Sequence, residues 1–135
     1  NARRSNAHDQ QRRIHQPAQI GAQLGIYFQA MTTAVILPEA FGGPDTVATA
    51  RMLLGKVLVS HTDGIRTAGR VVETEAYLVN DAACHAHLAR RTKRTEPMFG
   101  PGGTAYVYLC YGIHHLFNIA TNKPGIPEAV LVRAI

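Results

Sequence analysis

Apolar and polar positions along the chain fall into short alternating runs, separated by clusters of glycine, proline and asparagine. This pattern predicts strands far more often than helices. The exception is residues 46–54. Gly42, Gly43 and Pro44 make a turn and Asp45 supplies an N-cap; a helix over 46–54 would bury Val47, Ala50, Leu53 and Leu54 before stopping at Gly55. The β-branched and apolar run 56–61 reads as a strand. Thr62, Asp63 and Gly64 turn it into a second, long strand from Ile65 to about Tyr77. Residues 80–87 form a short helix or a structured loop, and 89–103 a loop punctuated by arginine, proline and three glycines. Residues 104–110 are a clear strand, Tyr111 and Gly112 its hairpin tip, and 114–121 the returning partner. A turn over 122–125 leads to a last strand, 128–135, with Ala129, Leu131 and Arg133 on one face. No internal repeat and no low-complexity segment is present. The reading is α+β: a single strand-dominated domain with a mostly antiparallel, curved sheet and a few short helices. The chain stops inside its last strand, so the sheet is expected to be incomplete at the C-terminus.

Composition bounds the class of protein without naming its chemistry. At 135 residues and 46% hydrophobic content, one domain with a real core is feasible. No apolar run approaches the roughly 20 residues that span a bilayer, and the first 30 residues lack the apolar stretch of a secretory signal. Two cysteines, Cys84 and Cys110, make no disulfide framework and favour a reducing compartment. The net charge of +5 is unevenly spread. Residues 1–30 carry Arg3, Arg4, Arg12 and Arg13 against Asp9, while the remainder holds ten basic and eight acidic side chains. With no sustained hydrophobic period, residues 1–30 are expected to be a disordered basic tail. Because the chain opens on Asn, a fragment or processed product is expected, with Met31 as a candidate start of the folded unit. In the body, positive charge gathers at Arg90, Arg91, Lys93 and Arg94. Such a cluster suits contact with phosphate, although composition alone slightly favours an ordinary solvated loop.

On an extended strand, Glu73, Glu75 and Tyr77 share a face, with Val71 beneath them. Two carboxylates on an otherwise apolar strand are costly to bury and point to a site. A lone glutamate is ordinarily a surface residue, but Tyr77 and the flanking valines favour a general base, nucleophile or charge stabiliser here. Glu75, nearer the loop, is the better candidate; Glu73 has no assigned role beyond pairing with an arginine. Tyr106 and Tyr108 point one way, as packed strand tyrosines do. Tyr111 sits at a hairpin tip, a place that is normally polar, and would serve as a wedge for stacking or intercalation. Cys84, His85, His87, His114 and His115 lack a recognised zinc spacing, so no metal is expected. His85 suits ring stacking or hydrogen bonding, and His87 a surface role. Asn118 lies in the apolar run 116–120 and needs hydrogen bonds, either to tie down backbone or to line a pocket. Arg133, read as a buried cation, needs an anionic partner, and Glu75 is the natural one.

Glu-Thr-Glu-Ala-Tyr (73–77), Ala-Cys-His (83–85), Arg-Arg-Thr-Lys-Arg-Thr (90–95), Met-Phe-Gly-Pro (98–101), Tyr-Val-Tyr-Leu-Cys-Tyr-Gly (106–112) and Ala-Val-Leu-Val-Arg (129–133) recur together, in order and with matching spacings. In this the chain resembles the alkyladenine / 3-methyladenine DNA glycosylase family over residues 36–135, its N-terminal and central part. The resemblance implies a base-excision-repair hydrolase that cuts the N-glycosidic bond of alkylated or deaminated purines in double-stranded DNA, after flipping the base. It implies that Glu75 activates water with Arg133 as its partner, and that Tyr77, His85 and Tyr108 stack the extruded base. Asn118 would crowd the exocyclic amino group of guanine, and Tyr111 would wedge into the duplex gap. Flipping is what chemistry on a stacked base requires, and a cationic purine leaves readily enough for one carboxylate and water to suffice. No lysine occupies the family positions, so a monofunctional enzyme without a Schiff-base lyase step is implied. A monomer without cofactor or membrane contact is expected, in the cytoplasm at the nucleoid of a bacterium or in a eukaryotic nucleus. The segment between Tyr77 and His85 is one residue shorter than the commonest family pattern. The family also continues past Arg133 with further strands and helices, so a fragment with an unpaired edge and exposed apolar surface is expected. The competing readings are a non-catalytic DNA-binding module, using residues 90–94 and Tyr111, and an inactive truncated remnant.

Overall fold

The computed structural model describes residues 26–29 and 35–135. Among them, three strands, β1 (Ile26–Gln29), β2 (Val57–Thr62) and β3 (Ile65–Arg70), form one sheet in the order β1-β2-β3. Four more, β4 (Glu73–Tyr77), β5 (Ala105–Cys110), β6 (His114–Thr121) and β7 (Glu128–Ala134), form a second in the order β4-β7-β6-β5. Every strand pairing is antiparallel. One α-helix, α1 (Thr46–Leu53), and short 3-10 turns at Pro38–Phe41, His87–Ala89 and Glu96–Phe99 complete the described part. It is a strand-rich α+β fold, as the apolar pattern predicts.

Three expectations need correction. The long strand over 65–77 is two strands in different sheets. Val71 N–H donates to Lys56 O at 2.8 Å and Val71 O accepts from Gly55 N at 2.8 Å, whereas Val72 N–H donates to Ala134 O at 3.0 Å. The backbone therefore changes sheets within two residues, while the fully buried Val71 closes the core between them. Alternation along a strand carries no information about which partner it pairs with, so this break was not visible in the pattern. Second, the tail expected over 1–30 lies outside the described residues except at 26–29. Those residues form β1 against β2, with Phe28 fully buried. Met31 lies outside the described residues.

The third correction concerns α1. Asp45 caps it as expected, its carboxylate accepting from Ala48 N at 2.8 Å. The buried stripe, however, is Thr46, Thr49, Ala50 and Leu53, while Val47 and Leu54 are 39% and 44% exposed. Thr46 and Thr49 take inner positions because their hydroxyls find partners. Thr46 Oγ1 donates to Glu128 Oε2 at 2.6 Å and lies 2.7 Å from Thr121 Oγ1, and Thr49 Oγ1 donates to Asp45 O at 3.0 Å. Buried Glu128 also accepts from Val79 N at 3.3 Å and Asn122 Nδ2 at 3.2 Å. A buried polar cluster satisfied in this way is tolerated in a small core.

Paired residues on neighbouring strands project to the same face. Glu75 pairs with Leu131, Leu131 with Asn118, and Asn118 with Tyr106, so these four form one row across the second sheet. Tyr77 pairs with Ala129 one step along, and Tyr108 lies two residues beyond Tyr106. The opposite face carries Ala76, Phe117, Ile119, Val130 and Val132 against Phe28, Phe41, Leu53 and Val71. One side of the sheet therefore holds the main core. The other gathers the polar and aromatic residues.

Candidate active site

Within β4, Glu75 and Tyr77 sit two residues apart, and Tyr77 Oη donates to Glu75 Oε2 at 2.5 Å. Across the pair β4–β7 the register slips: Glu73 faces Ala134 and Thr74 faces Val132, which leaves Arg133 unpaired in a bulge. Bulges re-aim side chains and recur beside active sites. Arg133 Nε lies 3.5 Å from Glu75 Oε1. The carboxylate is thus held by a phenol on one oxygen and a guanidinium near the other. The pair is not the buried one expected: Arg133 is 52% exposed and Glu75 35%. A bulge at the end of β7 puts the guanidinium at the rim, where solvent screens the pair but where a water can also reach the carboxylate. The bond to Glu75, then burial and the nearby negative charge, push the Tyr77 phenol up to about 12, so it stays a donor.

Beside this pair opens a cleft of about 130 Å³ lined by Tyr77, Ala83, His85, Met98, Tyr106, Tyr108, Asn118 and Ala129. Four of the predicted residues, Tyr77, His85, Tyr108 and Asn118, are brought together here. His85 lies on the loop after β4, and its neighbours Cys84 and Ala86 are buried in a second core cluster with Met98, Phe99, Tyr106 and Ala129. Pinning both neighbours inward leaves the ring standing over the cleft. Cys84 Sγ donates weakly to Pro127 O at 3.8 Å, which fastens the loop to the start of β7. The His85 ring packs edge-on against Tyr108, with centroids 4.5 Å apart, and its Nδ1 lies 2.9 Å from Tyr106 Oη. Burial, then the charge of Arg94, pull the His85 pKa below the usual 6.5, which favours the neutral ring. Burial raises the phenols of Tyr106 and Tyr108. Asn118 Nδ2 donates to Tyr106 O at 3.2 Å and Leu116 O at 3.3 Å, so it both ties down backbone and lines the cleft.

Tyr111 lies apart from the cleft, 93% exposed at the tip of the β5–β6 hairpin, with Ile113 beside it 72% exposed. Both central residues of this turn have positive φ, Tyr111 at 51° and Gly112 at 73°. Positive φ at both positions is what tight hairpin turns demand, but for a bulky tyrosine it is strained. All four side chains of the basic cluster are exposed, and they differ in their partners. Arg91 makes two bonds to Glu96, at 2.8 and 2.5 Å, and lies over Phe99 at 4.8 Å. Arg94 lies 5.0 Å over the Tyr108 ring, with Nη2 3.5 Å from His85 Nε2. Glu73 is exposed at the end of β4, and His87 Nδ1 lies 2.9 Å from Asp81 O.

Tyr106 was missed as a pocket residue, although its shared parity with Tyr108 was the available signal. Ala83, Met98 and Ala129 left no chemical signal at all. Among the described residues no group of three His, Cys, Asp or Glu gathers to hold a metal ion, and no helix is long and apolar enough to cross a membrane.

The family model for methylpurine-DNA glycosylase matches residues 40–135. A protein of Clostridium acetobutylicum named "Putative 3-methyladenine DNA glycosylase" is 52% identical over 100 residues, which cover 73% of this chain and 49% of that protein. Its namesake from Myxococcus xanthus is 54% identical over 100 residues, 73% of this chain and 51% of the relative. The one from Chlamydia abortus is 51% identical over 102 residues, 74% and 54% of the two chains. The chain spans about half the length of the curated relatives it matches. The matched stretch contains the whole of the second sheet and the cleft, and on this evidence the chain belongs to the methylpurine-DNA glycosylase family.

Proposed function

We propose that the chain acts as a monofunctional DNA glycosylase that removes alkylated or deaminated purines from duplex DNA. The observation that carries this reading is Glu75, oriented by Tyr77 and Arg133 and partly open to water at the edge of an aromatic cleft. A purine swung out of the helix would stack among Tyr77, His85 and Tyr108. Aromatic faces favour a cationic base by roughly 0.5–2 kcal/mol, and a base carrying positive charge is a good leaving group. Glu75 then accepts a proton from water as the water oxygen bonds to C1′ of the sugar and the glycosidic bond breaks toward the base; a cationic base leaves neutral, and a neutral deaminated base takes up a proton from solvent as it leaves. Arg133 and the Tyr77 hydroxyl aim the carboxylate. None of the cleft residues is a lysine, in keeping with hydrolysis without an imine.

The duplex supplies the remaining demands. Unstacking costs a few kcal/mol, offset by contacts to the backbone and by a residue that fills the gap. Tyr111, held out at a hairpin tip, is suited to fill it, and Arg90 and Lys93 to contact phosphate. Asn118 narrows the cleft where a guanine amino group would fall. We take the chain to work as a monomer on the chromosome in the cytoplasm of a bacterium, and the relatives compared are bacterial. The test is release of free base from a duplex containing hypoxanthine or 3-methyladenine. Release supports hydrolysis. Salt-dependent duplex binding without release would favour a DNA-binding module instead.

A further inference from the structure

Glu128 is a buried carboxylate with no part in the reaction above, and among the described residues it makes no ion pair. Burying a carboxylate is costly unless donors surround it, and here they come from three parts of the chain. Oε2 accepts from Thr46 at the start of α1 and from Asn122 after β6, and Oε1 from the backbone of Val79, at 2.6, 3.2 and 3.3 Å. Val79 opens the loop that carries His85. Its carbonyl accepts from Leu88 N at 2.8 Å, so residues 79–88 form a closed loop with Val79 and Leu88 at the neck. Cys84 Sγ, beside His85, reaches Pro127 O. The loop is thus fastened at two points to consecutive residues, Pro127 and Glu128, and the next residue, Ala129, lines the cleft. It needs fastening. The chain leaves the neck with Leu88 and Ala89 both at positive φ, 53° and 58°, and non-glycine residues hold that conformation only where their surroundings over-determine it.

We propose that Glu128 is a positioning residue for the reaction: through Val79 it anchors the 79–88 loop, and so holds the His85 ring against Tyr108 at the cleft. The inference rests on the glycosylase reading above and deepens it. Glu128 does not itself line the cleft. It acts on one wall of it, so its loss weakens the hold on an extruded base and leaves the carboxylate of Glu75 as it was.

Glu128→Gln isolates the tether. Two donors meet Oε2 and one meets Oε1, so the single amide oxygen of glutamine serves Thr46 and Asn122 while its NH2 confronts the Val79 N–H. Thr46→Val is the control, because it removes a core hydrogen bond from Oε2 and leaves the Val79 bond in place. The first measurement needs no DNA: NMR of the 135-residue chain reads amide exchange at Val79 and Leu88 relative to β6, and the shift that the Tyr108 ring imposes on His85. Both amides are expected to be protected in wild type. Glu128→Gln should speed their exchange about tenfold and move the His85 signals, whereas Thr46→Val should lose stability with neither change. Unprotected amides in wild type overturn the proposal even where Glu128→Gln does not fold. So do His85 signals that Glu128→Gln leaves in place, or that Thr46→Val moves equally. The second measurement is affinity for a hypoxanthine duplex over an undamaged one. A lost ring contact is worth about 2–10-fold; Glu128→Gln should reduce the preference within that range and do nothing further in His85→Ala. Losses that multiply in the double variant overturn the proposal. A wild type without the preference counts against the glycosylase reading, and the amides and the ring then decide the tether.

Discussion

Glu75 and Tyr77 lie on one face of β4, and their 2.5 Å bond ties the ionisation of the phenol to the carboxylate beside it. In the unfolded chain the Tyr77 phenol ionises near 10, and in the fold near about 12. The fold thus binds this proton more tightly than the unfolded chain does. Its contribution to stability is complete below pH 10 and is lost as pH rises from 10 to about 12. Tyr77→Phe removes that dependence. Urea unfolding of both proteins at about pH 8 and about pH 11 should show the wild-type advantage narrowing at the higher pH. A constant difference would contradict the bond. The pairing of Glu75 with Tyr77 was legible because period-two alternation places i and i+2 together. The bulge that re-aims Arg133 was not, since it depends on β7 having one residue more than β4 at that point.

At the scale of elements, α1 and the β5–β6 hairpin show how far local signals reach. Asp45 was read correctly as a cap because capping needs only its own residue and the next three. Asp45→Ala should cost about 0.5–2 kcal/mol by chemical denaturation; a loss below that range would mean the bond to Ala48 is not formed in solution. The inward face of α1 was misread because Thr46 and Thr49 look polar until Glu128 and Asp45 supply acceptors. The hairpin register was legible from Tyr111 and Gly112, and the structure adds the strain. Tyr111→Asn places a residue that tolerates positive φ at the tip, so stability should hold or rise by up to about 1 kcal/mol. Duplex binding should weaken, and more than single-strand binding does. Equal losses on both, or a destabilised hairpin, would remove the wedge.

For the whole molecule, the second sheet divides the work: one face closes the core and the other holds the cleft. Residues 73–77 could be recognised as a strand with Glu75 and Tyr77 on one face, but the switch between sheets at Val71 and Val72 could not, because it is decided by partners far along the chain. The basic run was legible only as charge. All four are exposed, but Arg91 is paired with Glu96 and Arg94 lies over Tyr108 beside the cleft, while Arg90 and Lys93 are exposed without such a contact. The salt dependence of duplex binding should reflect that division. Replacing Arg90 or Lys93 with Ala should reduce the log–log salt slope by about 1 each, and replacing Arg91 should reduce it less. Equal effects at all three would mean that the Arg91–Glu96 pair opens on DNA.

The central proposal is that Glu75 activates water beside a purine held in the cleft. The direct measurement is single-turnover release of hypoxanthine from duplex DNA in oxygen-18 water, by wild type and by Glu75→Gln. Wild type is predicted to release the base and leave the heavy oxygen on the sugar, and Glu75→Gln to slow release by about 10²–10⁴-fold. Release at an undiminished rate by Glu75→Gln, or a released base with no heavy oxygen in the sugar, would contradict it.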